Sequence, residues 1–78
     1  MGIEELLNEL PERIKVKGRR VGEDLCNLTI EKIGGGWTVY YGGRIYAYAF
    51  THKESLQEAL EVVKNTLIKE GHMEVQND

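Results

Sequence analysis

Few side chains in this sequence could do covalent or metal chemistry: Cys26, Ser55, His52 and His72. The two histidines stand at opposite ends of one helical pattern, about 20 residues apart at 1.5 Å rise each, so they cannot share a metal. One cysteine permits neither an intramolecular disulfide nor a thiolate zinc cage. Cys26 lies on an apolar strand pattern with no neighbouring base, which suits a small core residue better than a nucleophile. Ser55 has no G-x-S-x-G frame. Gly34-Gly35-Gly36 precedes a strand and no Gly-Lys-Ser/Thr follows, so it is not a phosphate loop. Glu58 and Glu61 share a helix side, where paired acids are ordinarily solvated. A chain of 78 residues also has little material for a preorganised pocket. The expectation is a non-enzymatic protein with no catalytic residue, no metal and no cofactor.

Composition narrows the class. Hydrophobic residues make up 41% and charged residues 29%, with one proline and no biased tract, which favours a folded domain over a disordered chain. No window approaches the roughly 18 apolar residues of a membrane span. MGIEELLNEL carries early acids and no basic segment, so it does not read as a secretory signal. The expected location is the cytoplasm. The net charge of −3 disfavours wholesale polyanion binding, but the charge is not evenly spread. Arg13, Lys15, Lys17, Arg19 and Arg20 place half of the ten basic residues in one short segment, 13–20. Such a basic patch suits nucleic acid phosphate or an acidic protein surface. An edge strand blunted by lysine explains the same pattern without a ligand.

The elements that must position these residues follow from periodicity. Ile3, Leu6, Leu7 and Leu10 form one stripe of a short helix over 3–10, stopped by Pro11. Ile14 and Val16 alternate with Arg13, Lys15 and Lys17, a strand over 12–17. Strands follow at 25–33, 37–41 and 44–50. The main helix spans 52–70 with its stripe on Leu56, Ala59, Leu60, Val63 and Leu67. Thr51 with Glu54 fits a capping box, Ser55 with Glu58 is the alternative, and Gly71 suits the position after the C-cap. The class is therefore α+β: a short N-terminal helix, a four-stranded antiparallel meander and a long C-terminal helix on one sheet face, in the order α-β-β-β-β-α. Residues 1–71 read as a single domain and 72–78 as a frayed tail.

Turn chemistry then assigns the faces. A two-residue Gly42-Gly43 turn pairs Tyr41 with Arg44 and groups Trp37, Val39, Tyr41, Arg44, Tyr46, Tyr48 and Phe50. A three-glycine connection pairs Ile33 with Trp37. It sets Cys26, Leu28 and Ile30 beside Tyr40 on the face that the main helix covers. Trp37, Tyr41, Arg44, Tyr46 and Tyr48 become the candidate protein-binding residues, since an aromatic face is not left in water without a reason. Three coverings compete: the N-terminal helix, a second copy in a homodimer, or a partner macromolecule.

The stretches GGWTVYY and ESLQEALEVVKNTL resemble the β-β-β-α unit of HicB-type antitoxins over Leu25–Leu67, little more than half of the chain. The resemblance implies a toxin-neutralising, protein-binding role and transfers no individual residue. The residues themselves point to a small protein-binding module, by analogy with phage or mobile-element inhibitors and adaptors that act on a host protein. The alternatives are nucleic-acid binding through 13–20 and a homodimeric structural protein.

Overall fold

Two hairpin turns and one bulge decide which side chains share a face. The computed structural model describes residues 2–18, 20 and 22–73. The element order is α1 (Ile3–Glu9), β1 (Arg13–Gly18), β2 (Gly22–Ile33), β3 (Gly36–Gly42), β4 (Ala47–Lys53) and α2 (Leu56–Lys69). The strands form one antiparallel sheet in the order β1-β2-β3-β4, and both helices lie on the same side of it. This is the expected α+β class.

The β2–β3 turn is shorter than the sequence reading expects. Ile33 pairs with Gly36 and Lys32 with Trp37, so only Gly34 and Gly35 make the corner. Gly34 takes φ +63° and Gly35 does not, the pattern of a type II′ turn with its first central residue at positive φ. The one-residue change flips β2 against β3. Ile30 now opposes Val39 and Leu28 opposes Tyr41, not the Tyr40 side. The aliphatic face of β2 and the tyrosine face of β3 are thus one face. Helix α2 covers it with Ala59, Leu60, Val63 and Leu67.

The β3–β4 hairpin departs in the other direction. Gly42 pairs with Ala47 and Tyr41 with Tyr48, leaving residues 43–46 as a four-residue loop in place of a Gly42-Gly43 turn. The shift is even, so Trp37, Val39, Tyr41 and Tyr48 still share a side. A bulge then breaks the alternation. Ala49 and Phe50 both stand opposite Tyr40, because Val39 already pairs with Thr51. Ala49 takes the left-handed φ of 56° that such a bulge uses. The extra residue turns Phe50 away from Tyr48 and onto the other face.

Both helices are tied to this core. Leu6 of α1 and Leu10, which caps its C-terminus, are buried with Ile14 and Tyr41. The Tyr41 hydroxyl donates to the Pro11 carbonyl at 2.7 Å, and Lys64 of α2 pairs with Glu9 of α1. Helix α2 starts later than periodicity suggests, because residues 51–53 complete β4. Ser55, not Thr51, is the cap and accepts from the Glu58 N–H at 3.4 Å. Gly71 follows the helix at φ +83°, as expected. Of the expected frayed tail 72–78, the first two residues are instead held: the His72 and Met73 N–H groups donate to the Leu67 carbonyl and Met73 packs on the core, while 74–78 lie outside the described residues.

Alanine in the left-handed region is strained by its β-carbon, and glycine is not. Ala49→Gly should therefore stabilise the fold by about 1 kcal/mol, read as a higher denaturant midpoint at unchanged slope. A loss of stability would mean that the bulge is not held in that conformation.

Candidate binding surface

The expected protein-binding residues do not form an outer surface. Tyr41 is fully buried, and its phenol is pushed up to about 12 by burial. Tyr48 is half-buried with its ring edge-on to His72 at 5.2 Å, and burial, then Glu70, raises its phenol. The Tyr46 phenol lies against Gly18, where a β-carbon would overlap it. Trp37 is half-buried in a row with Lys32 and Lys53, the Lys32 ammonium 5.7 Å from its ring centre. Arg44 is exposed in the 43–46 loop. The grouping of Trp37, Tyr41 and Tyr48 on one side holds, but that side is the core. The helices seek the largest apolar area, and the Gly34-Gly35 register adds the β2 aliphatics to the aromatics there.

The 43–46 loop is held by a buried carboxylate. Asp24 is 5% exposed and accepts backbone N–H bonds from Ile45 at 2.8 Å, Tyr46 at 2.9 Å and Arg44 at 3.2 Å. The Tyr46 and Ile45 bonds chiefly hold its carboxyl below the ordinary 3.8, against the opposing effect of burial. Gly43 packs so tightly on the carboxylate that a β-carbon there would overlap it. Burial, then the neighbouring Asp24, raises the Cys26 thiol, and Cys26 is fully buried, as expected of a core residue. Among the described residues no three His, Cys, Asp or Glu side chains gather as a metal site. His52 lies on the far side of the sheet, its Nδ1 2.7 Å from Thr38 Oγ1.

Among the described residues, no helix lies on the opposite sheet face. Its centre holds Tyr40 and Phe50, ring centres 5.6 Å apart, with Phe50 63% exposed and Leu25 46% exposed on β2. Lys15 opposes Leu25, and Arg13 and Lys17 continue the same side of β1. All three are exposed, as is Arg20 in the following turn, whereas Arg19 lies outside the described residues. Glu31, bonded by the Tyr40 hydroxyl at 3.4 Å, and Glu23, opposite Lys17, supply acids on this face. The strand alternation marks the basic border in sequence. Nothing in the sequence marks the bulge that delivers Phe50.

No helix of the described residues is long and apolar enough to cross a membrane. Compared with known protein families, curated proteins and solved structures, the chain matches none of them. The antitoxin resemblance rests on its two quoted stretches alone.

A carboxylate held below its ordinary value lends stability above that value and loses it as pH falls through the depressed one. Asp24→Asn should lower the melting temperature at neutral pH. The gap to the parent chain should then narrow on titration from pH 5 towards pH 2. A constant gap would show that the loop is not held by the charged form.

Proposed function

We propose that this chain is a non-enzymatic protein-binding module and that it engages its partner with the open sheet face. The carrying observation is Phe50, exposed beside Tyr40 at the centre of a face that neither helix covers. Aromatic anchors inside a charged border are the composition of interface centres and rims. The molecule is a slab of 36 × 36 × 17 Å, so one broad face can supply the roughly 800 Å² per side of a standard interface. The placement of Phe50 is a second support. A strained alanine turns the ring outward, where plain alternation would have put it on the core side.

A second reading, nucleic-acid binding, draws on the row Arg13, Lys15 and Lys17. The acidic side chains of α2, Glu58 and Glu61, stand on the other side of the sheet and do not face this row. Cations spaced about 6.6 Å apart along a strand, on the same sheet face as the exposed Phe50 and half-buried Tyr40 rings, suit single-stranded nucleic acid.

The first reading is checked by recovery of the partner from the native host. Partner recovered with the parent chain and with Glu61→Lys should be lost with Phe50→Asp, while circular dichroism stays native. Retention by Phe50→Asp with loss by Glu61→Lys would move the interface to the helix side. The second reading is checked by fluorescence anisotropy of labelled oligothymidine. Binding should weaken steeply with salt and vanish in Lys15→Glu/Lys17→Glu. No anisotropy change at low salt removes it.

A further inference from the structure

The hydrogen-bond pattern of β1 specifies more than a charged border. The Leu28 N–H donates to the Glu12 carbonyl at 2.9 Å, in the same register as Arg13 with Asn27 and Ile14 with Cys26. Hydrogen-bonded and non-hydrogen-bonded pairs alternate along an antiparallel ladder. Glu12, Ile14 and Val16 therefore turn their backbone groups towards β2. Arg13, Lys15 and Lys17 turn theirs outward, along an edge on which the described residues place no further strand. The residues with outward backbone groups are thus the ones whose side chains are cationic. The intervening Ile14 and Val16 point to the helix side, where Ile14 is buried and Val16 is half-buried.

We propose that β1 is the docking edge for an extended acidic segment of a protein partner, which adds to the sheet as a fifth, antiparallel strand. This rests on the protein-binding reading and names the partner's chemistry. In such a strand the residues opposite Arg13, Lys15 and Lys17 share the open face with them and form the hydrogen-bonded pairs. Carboxylates there meet three cations in register. The alternate residues fall beside Ile14 and Val16 and extend the apolar layer, so the complementary pattern is acidic and apolar in strict alternation. A second copy of this chain does not fit, because β1 against β1 sets cations opposite cations. The added strand borders the face that carries Leu25, Tyr40 and Phe50, so a partner can occupy both at once.

The probe is the synthetic peptide Thr-Glu-Val-Glu-Val-Glu-Thr, with a lysine-for-glutamate peptide of the same length as control. Titration calorimetry should show the acidic peptide binding about tenfold or more tightly than the control, through its three charge pairs. Hydrogen exchange should show the amides of Arg13, Lys15 and Lys17 newly protected. Lys15→Pro removes only an outward N–H, which proline tolerates at an edge, and should abolish binding with native circular dichroism. Lys15→Glu/Lys17→Glu should reverse the preference and bind the lysine peptide, which decides the matter if the proline variant unfolds. Equal binding of both peptides, binding without amide protection, or no binding overturns the proposal. If the peptide fails while Phe50→Asp still loses the cellular partner, the edge proposal falls and the open-face reading stands. Peptide binding with an intact Phe50→Asp interaction means the reverse.

Discussion

The register of one glycine turn governs the rest of this molecule. With Ile33 paired to Gly36, the aliphatic side of β2 and the tyrosine side of β3 become a single apolar face. That face is large enough to draw both helices, and the small Ala59 of α2 permits close approach. Moving the pairing by one residue would split the apolar side chains between the two sides of the sheet. Neither side would then bury enough area to hold a domain of this size. The glycines matter here for one geometric reason: the corner needs a positive φ at Gly34.

Asp24 is the second constraint, and it is polar. A carboxylate beside a small core is costly unless its oxygens are satisfied. Three backbone donors from 44–46 meet that need and shape the loop at the same time. The loop then lays Tyr46 across Gly18 and closes the end of the β1–β2 hairpin. A charge-assisted cluster thereby performs at one corner what apolar packing performs elsewhere. It also explains why two adjacent glycines do not make a two-residue turn: Gly43 is needed against the carboxylate.

Both sides of the sheet carry charges of both signs, and the cations concentrate along one border. Glu58 and Glu61 of α2 lie on the helix side with Lys32 and Lys53, whereas Arg13, Lys15 and Lys17 of β1 lie on the open side with Glu23 and Glu31. A chain with a net charge of −3 thus presents one face with a basic border and exposed aromatic and aliphatic side chains. Edge cations discourage self-association, and in the proposed docking the same cations select for an acidic strand. The two roles do not conflict, since both follow from which strands can approach β1.

Local pattern was enough to read the element order, the antiparallel meander, the helix stripe, the buried Cys26 and the cationic side of β1. Each depends on a period of 2 or 3.6 within a few residues. The open sheet face was not legible in the same way. Trp37, Tyr41 and Tyr48 were correctly grouped, yet grouping does not say which side a helix will cover. That depended on a one-residue difference at Gly34-Gly35 and on a carboxylate twenty residues upstream of the loop it holds. Phe50 reached the open face through a bulge at an alanine, a residue that carries no turn signal. The elements and their amphipathic sides follow from neighbouring residue types, because they are near-neighbour properties. Which side became core emerged with the assembled sheet, because that choice compares the total area buried by alternative registers across all four strands.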